Sequence, residues 1–268
     1  MLAKLSLVAA TLCLVLPGPS GASGAEWFVD ASVKESGNGT SWATAFKKVQ
    51  NGIDAASNGD TVTVAPGTYV ENIGFYGKSI ILRSTDPLDR AVVKKTIIDG
   101  GQKGSVVTFS GTEDETCVLA GFTIRNGAQR YGGAINGDRS HATICNNIIA
   151  GNTAWLHGGG LYGCDGEIVS NVIVVNSAWD GGGLSDCQGT ILNNTISDNH
   201  ASGHGGGLSN CGGAIKNCII WGNSAPSGAQ LYQSALPNIP ALRAGRAAAR
   251  EIYPSIPISF IPGGAIII

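Results

Sequence analysis

The chain has 268 residues, with 17 Lys and Arg against 19 Asp and Glu, so its formal net charge at pH 7 is −2. A near-neutral chain in which only 13% of residues are charged lacks the basic surface that binds nucleic acid, so no nucleic-acid partner is predicted. Its 40 glycines recur periodically, which excludes a flexible low-complexity chain.

Residues 1–25 have the pattern of a secretory signal peptide. Lys4 is followed by an apolar run from Leu5 to Leu16 and then by small residues that precede Glu26. The sequence therefore predicts a mature protein that is secreted or displayed at the cell surface. No later run approaches the length of a transmembrane helix, so no transmembrane segment is expected after cleavage.

Residues 26–59 predict an N-terminal strand and one amphipathic helix that caps the N-terminal end of the domain. Gly59 stands where a helix commonly ends, and the next strand is predicted at Thr61–Ala65. Five apolar residues at helical spacing form the predicted buried face: Trp42, Ala45, Phe46, Val49 and Ile53.

A repeat of 23 or 24 residues organises the chain between residues 60 and 234. Four segments, each preceded by a run of glycines, are copies of one unit. Three columns recur at steps of 24, 23 and 24 residues: Ile144, Ile168, Ile191 and Ile215; Ile149, Ile173, Ile196 and Ile220; and Asn152, Asn176, Asn199 and Asn223. A period this short is typical of a solenoid in which each repeat forms one coil.

The residue types of the unit predict an all-β fold, a right-handed parallel β-helix of about seven or eight coils. Each coil is expected to contain three short strands and three turns, with the Ile columns inside. The Asn column is expected to bond amide to amide along the axis, and Asn126 stands one repeat before it. The glycine runs mark a second bend, where a positive φ or a close approach excludes a Cβ atom.

Three of the seven cysteines, Cys164, Cys187 and Cys211, form a column with the same period. Because there is no C-x-x-C pair, no zinc site and no other metal site is predicted. Parallel Cβ vectors oppose the dihedral angle of a disulfide, so the preferred interpretation is a column of packed thiols. A single disulfide within the column is the alternative.

One set of polar and aromatic residues is a candidate site. The residues immediately before the glycine runs are Tyr131, His157, Asp180 and His204, and Trp155 and Trp179 lie close to them. Stacking would place Asp180 between two imidazoles, which makes His157, Asp180 and His204 the catalytic candidates. Trp155, Trp179 and Tyr131 are the candidates for substrate binding. The alternative is a row of solvated turn residues in which the tryptophans cover apolar edges.

Several segments carry a resemblance to a known superfold. DTVTVAPGTYVENIGFYGKSIILRS, VLAGFTIRNG and the GGGL…NNTISDN coils, over roughly residues 41–234, resemble secreted bacterial right-handed parallel β-helix proteins of the pectate-lyase-like superfold. GGAI at residues 132–135 also resembles the repeats of polymorphic outer-membrane proteins. This superfold hosts lyases, hydrolases, epimerases and adhesins, so the resemblance implies the fold more than the activity.

The motifs of the enzymes in that superfold are mostly missing. No column of aspartates exists to bind calcium, and no Asp-Asp pair occurs; only Gly203-His204-Gly205 matches an element of the galacturonan hydrolases. We therefore expect a secreted or cell-surface protein without a cofactor that binds polysaccharide or a cell-surface glycan, or mediates surface adhesion, without catalysis. The alternative is a pectate-lyase-like polysaccharide lyase or related carbohydrate-active enzyme, which would bring calcium as a cofactor.

Residues 235–268 break the repeat abruptly. This tail has five prolines and no aspartate, and it does not continue the Asn column. It could fold back as an apolar cap. The favoured interpretation is that a frame disruption near codon 235 replaced further coils, so that the tail is poorly packed and the product prone to aggregate. Translating the source DNA in the other two frames tests this, because a Gly/Asn-rich continuation is expected there.

Overall fold

A computed structural model describes residues 24–234 completely and residues 259–261 and 265–267 as backbone strands. Residues 1–23 of the predicted signal peptide (residues 1–25) and most of the tail lie outside the described residues, so cleavage and the packing of the tail stay predictions.

The strands, numbered in chain order, form four sheets. Sheet A contains β1 (Glu26–Val29), β2 (Thr61–Val64), β5 (Ile81–Ser84), β8 (Val118–Ala120), β12 (Thr143–Cys145), β16 (Ile168–Val169), β20 (Ile191–Leu192) and β24 (Ile215–Lys216). Sheet B contains β3 (Gly67–Val70), β6 (Thr96–Asp99), β9 (Thr123–Arg125), β13 (Ile148–Ala150), β17 (Val172–Val174), β21 (Thr195–Ser197) and β25 (Ile219–Trp221). Sheet C contains β4 (Ile73–Gly74), β7 (Val107–Thr108), β11 (Ile135–Asn136), β15 (Leu161–Tyr162), β19 (Leu184–Ser185), β23 (Leu208–Ser209) and β26 (Leu231–Tyr232). Sheet D contains β10 (Ala128–Tyr131), β14 (Thr153–His157), β18 (Ser177–Asp180) and β22 (His200–His204).

The chain visits these sheets in turn and forms a parallel β-solenoid of about 7 turns, which confirms the predicted fold. The prediction of three strands per coil is wrong for the middle coils, where sheet D adds a fourth. The reason is that the residues between sheet B and the glycine run pair from coil to coil at both ends of this stretch, with a register irregularity between the two ends.

The isoleucine columns fill the interior as predicted. Ile144, Ile168, Ile191 and Ile215 are paired neighbours in sheet A, and Ile149, Ile173, Ile196 and Ile220 are paired neighbours in sheet B. Sheet C contributes a third column of apolar residues, from Ile73 to Leu231. Because each coil repeats the same inward pattern, the three columns form one continuous core.

The asparagine column lies at the bend between sheets B and D and is buried. Asn176 Nδ2 donates to Asn199 Oδ1 at 3.1 Å and to the carbonyl of Ile149 at 2.9 Å, and the same pattern holds along the column. The predicted amide ladder is therefore confirmed. Asn126 is not part of it, because the backbone N–H of Gly127 donates to Asn152 Oδ1; Asn126 instead donates to Asp99. Asn147, Asn171 and Asn194 form a second ladder at the bend between sheets A and B.

The glycine runs form the bend between sheets D and C. The first glycine of each run has a positive φ, for example 65° at Gly181. At the second, a Cβ atom has no room: one placed on Gly182 would lie 2.4 Å from the carbonyl oxygen of His200 and 2.6 Å from that of Gly206. Both predicted reasons for glycine, positive φ and close approach, thus apply to successive residues.

The predicted N-terminal helix is shorter than expected. The α-helix α1 covers only Val49–Ala55, and a separate 3₁₀ turn covers Trp42–Thr44. Residues around Phe46 cannot be helical because Phe46 pairs with β1, where its backbone N–H donates to the carbonyl of Phe28. The carboxylate of Glu71 accepts from the N–H groups of Val49 and Gln50, which holds the start of α1, and the helix packs on β1 and β2. A second helix, α2, covers Arg90–Lys95.

The cysteine column is buried and contains free thiols. Cys164, Cys187 and Cys211 are at most 1% exposed, and none of the three forms a disulfide in the described structure. The preferred interpretation as packed thiols is therefore confirmed.

Near the C-terminus, β27 (Ser259–Ile261) and β28 (Ala265–Ile267) form an antiparallel pair that continues sheet B beyond β25.

Candidate functional site

The candidate residues lie in sheet D, on one outer edge of the solenoid. Tyr131 pairs with His157, His157 with Asp180, and Asp180 with His204, so the row predicted from the sequence is a true row of strand neighbours. Trp155 and Trp179 occupy the same strands, β14 and β18. The structure thus brings all six residues together, while their roles remain predictions.

Asp180 is hydrogen-bonded to one imidazole and lies close to the other. Its Oδ1 accepts from the backbone N–H of His204 at 2.8 Å and lies 2.9 Å from His204 Nδ1. Its Oδ2 lies 3.7 Å from His157 Nδ1, a buried atom with no hydrogen-bond partner in the described residues. With Nδ1 of His204 donating to the carboxylate, Nε2 of that ring is the acceptor that remains for a ligand.

Rings from sheet C stack against this row, which the sequence analysis missed. The rings of Tyr131 and Tyr162 stack with centroids 5.0 Å apart, and the His157 ring lies beside both. His204 contacts Tyr232 with ring centroids 4.3 Å apart. The sequence contained a signal for this contact, because the repeat places Tyr162 and Tyr232 in one column with Asn136, Ser185 and Ser209. Burial raises the pKa of the Tyr162 hydroxyl above its usual value, so this group stays a hydrogen-bond donor.

The two tryptophans are the most exposed large side chains of the site. Trp155 is 64% exposed and Trp179 is 55% exposed. Neither indole has a ring contact or a hydrogen bond with another part of the described chain. More than half of each residue is exposed to solvent, which agrees both with a binding role and with the alternative of a solvated row.

Gly203 explains how Trp179 is placed. A Cβ atom on Gly203 would lie 2.9 Å from Trp179 Nε1 and 2.6 Å from Asp180 Oδ1. The indole and the carboxylate therefore extend over the backbone of the next coil. Strand β22 has one more residue than β18 between its paired ends, and Gly203 lies at this irregularity. The first glycine of Gly203-His204-Gly205 is thus explained by the local packing, and the chain has no Asp-Asp pair like that of the galacturonan hydrolases.

The glycine runs beside the row offer no anion site. Their backbone N–H groups donate to carbonyls of the following coil, as in the bonds from Gly159 to Gly181 and from Gly182 to Gly205. Donors used in this way cannot cradle a phosphate or carboxylate. Within residues 24–234, no three His, Cys, Asp or Glu side chains are grouped so that they could hold a metal ion.

Two further surface properties complete the description. None of the helices in the described part of the chain is long and apolar enough to span a membrane. A separate cavity of about 390 Å³ lies where sheet C turns into sheet A; it contains none of the six candidates and is lined by Glu115, His141, Asp165, Glu167 and Gln188 among others.

Together, the fold and the site define a parallel β-solenoid with an exposed aromatic row beside a His–Asp–His row. Comparison with family models, curated proteins and solved structures found no match to this chain. The architecture and the side chains of sheet D are thus the basis for any functional conclusion.

Proposed function

We propose that this protein is a secreted or cell-surface β-helix that binds a polysaccharide through sheet D without catalysis. The observation that carries the proposal is the pair of indoles, Trp155 and Trp179, which are exposed on a rigid sheet and engage no other ring. Exposing two tryptophans costs hydrophobic free energy, so a surface that keeps them free is typical of a binding site. Aromatic faces flanked by polar groups suit sugar rings, which have apolar faces and polar edges.

The polar row supports the same proposal. Tyr131, His157, Asp180 and His204 present hydroxyl, imidazole and carboxylate groups next to the indoles, and most are held by ring stacking or hydrogen bonds. Side chains that are held in place before binding lose little conformational entropy on contact with a ligand. This arrangement favours binding of a hydroxyl-rich ligand.

Binding is tested with the full chain by affinity electrophoresis against a panel of soluble glycans. The Trp155→Ala/Trp179→Ala double variant should lose at least about tenfold in affinity, because tryptophans at the centre of an interface carry much of the binding energy. Its melting temperature should stay the same, since both side chains are exposed. Trp221→Ala is the matched control: Trp221 is also exposed, at 46%, but lies in sheet B. Retained binding in the double variant would exclude this platform.

A polysaccharide lyase or related enzyme is the second candidate, favoured by one observation. The bond between His204 Nδ1 and Asp180 orients the imidazole and leaves Nε2 for proton transfer. Under this candidate, incubation with the glycan panel should release reducing ends or unsaturated products. Turnover that disappears in a His157→Ala/His204→Ala double variant would favour the enzyme over a binding protein.

A further inference from the structure

The outward side chains of sheet D form three parallel columns that run along the solenoid axis. The central column contains Arg130, Trp155, Trp179 and Ser202, each of which lies two residues after the paired residue at the start of its strand and within the stretch where the register shifts. Since neighbouring strands are ~4.8 Å apart, the apolar surface of the two indoles extends along the axis. Trp179 lengthens it further by reaching over Gly203 in the next coil.

Polar groups line both sides of this apolar strip. On the side of sheet B, the hydroxyls of Thr153 and Ser177 lie 3.2 Å apart, and His200 Nδ1 lies 3.0 Å from the hydroxyl of Ser224. On the side of sheet C lies the row from Tyr131 to His204. A ligand that fits this surface has an apolar face with hydrogen-bonding groups along both edges.

The charges of the strip favour a neutral ligand. Arg130 lies over the ring of Tyr131, with its Cζ 5.3 Å from the centroid, and Asp180 is hydrogen-bonded to His204. The guanidinium and the carboxylate both interact within the protein, and the strip has no row of cationic side chains that could neutralise a polyanion. An acidic polysaccharide with a carboxylate on every sugar would find no repeated partner here.

We infer that sheet D binds a flat, extended, uncharged β-linked glycan that lies parallel to the solenoid axis, with successive sugars over successive coils. A ribbon-like β-1,4-linked chain has an apolar face and hydroxyls along both edges, which matches the indole strip and its two polar borders. A coiled α-linked glucan cannot follow a straight strip over several coils. This inference rests on the proposed glycan-binding function and adds to it the class and direction of the ligand.

The class is tested by calorimetric titration of the full chain with hexasaccharides. The flat, uncharged probes are cellohexaose, mannohexaose and xylohexaose; maltohexaose is the coiled control, and hexagalacturonate is the charged control. At least one flat probe should bind about tenfold or more tighter than both controls. If the chain prefers maltohexaose or hexagalacturonate and the Trp155→Ala/Trp179→Ala variant loses this binding, the inference is overturned while the glycan-binding function stays intact. If no probe binds, or if binding does not depend on Trp155 and Trp179, both fail.

The direction is tested by lengthening the strip. Ser202→Trp adds an indole in the next coil, at an exposed position, so binding of the preferred hexasaccharide should tighten about tenfold while binding of the matching trisaccharide changes little. The matched control is Ser197→Trp, which places an indole on the outer face of sheet B and should change the binding of neither oligosaccharide. Gly203→Ala, which would displace the Trp179 indole and the Asp180 carboxylate, should weaken binding of the hexasaccharide about tenfold. Equal effects of Ser202→Trp and Ser197→Trp, or none from Gly203→Ala, would rule out an axial ligand.

Discussion

At the residue scale, the buried side-chain amides of the Asn ladder each make several hydrogen bonds. Asn176 bonds to the coils on both sides of its own: its Nδ2 donates to Ile149 and Asn199, and its Oδ1 accepts from the backbone and the side chain of Asn152. Because water cannot reach these groups, the bonds have no substitute when the side chain is removed.

Asn176→Ala should therefore lower the free energy of unfolding by about 3 kcal/mol, since it leaves the carbonyl of Ile149 and the N–H of Asn152 unpaired. Urea denaturation measures the loss. Ser197→Ala, an outward-facing change in sheet B, is the control and should alter stability by no more than about 0.5 kcal/mol. A similar, small effect of both changes would show that the ladder contributes little.

The buried thiols predict how stability depends on pH. Burial raises the pKa of Cys117 from 9.0 to about 12. In the unfolded chain the thiol ionises near 9.0, whereas in the folded chain it stays protonated. The unfolded state thus loses its proton first, so the stability due to this thiol is complete below pH 9 and is lost as the pH rises towards 12.

We expect the free energy of unfolding to fall between pH 9 and the highest pH at which folding is reversible, with a smaller slope for Cys117→Ala than for the unchanged chain. Urea titrations at several pH values measure the slope. The comparison isolates Cys117, because burial also raises the pKa of Cys211 and Cys218 and those thiols remain in both proteins. An unchanged slope would contradict the assignment.

At the scale of elements, the glycine runs let sheet D and sheet C meet at a tight bend. The middle glycine is required by space: the atoms nearest to a Cβ on Gly182 are backbone carbonyl oxygens of the neighbouring coil, which cannot move independently. By contrast, Gly151 has a positive φ of 69° but open space around its Cβ position. Gly182 is therefore an example of glycine required by space, and Gly151 is an example of glycine required by a positive φ.

Gly182→Ala should destabilise the protein by about 3 kcal/mol or more, because the coils must separate to admit the methyl group. Gly151→Ala, with only the cost of a left-handed backbone, should destabilise it by about 1–2 kcal/mol. Thermal and urea unfolding of both variants measure the difference. If Gly151→Ala proves the more damaging of the two, the steric account of the bend is wrong.

At the scale of the whole molecule, each coil contacts mainly the coils before and after it. The columns of all four sheets continue without interruption through the middle coils, so a complete coil is the natural unit of this structure. In such a solenoid the stability is approximately a sum over coils and their interfaces.

Deleting residues 177–199 removes one complete coil and joins Asn176 to His200, which stands in the same register as Ser177. The shortened chain should fold, keep its β circular-dichroism spectrum and melt at a somewhat lower temperature. Deleting residues 177–187 instead removes about half a coil and puts outward residues into the core, so that chain should not fold cooperatively. Equal behaviour of the two deletions would contradict the coil as the folding unit.

Where the sequence repeats, it predicted the structure closely. Stacked coils place corresponding residues next to each other, so the period alone predicted the Ile columns, the Asn ladder from Asn152 to Asn223, the thiol column and the His–Asp–His row. Asn126 shows the limit: its spacing of 26 suggested a place in the ladder, but the longer coil shifts the position to Gly127.

Only the tertiary structure decided what depends on contacts between unlike segments. Phe46 pairs with β1 and shortens the predicted helix, sheet D appears as a fourth sheet, and the rings of Tyr162 and Tyr232 join the site from sheet C. The exposure of Trp155 and Trp179, on which the proposed function rests, also follows from packing. The physical reason is that a periodic pattern specifies which residues are neighbours along the axis, whereas contacts across the bends depend on side-chain shapes that do not repeat.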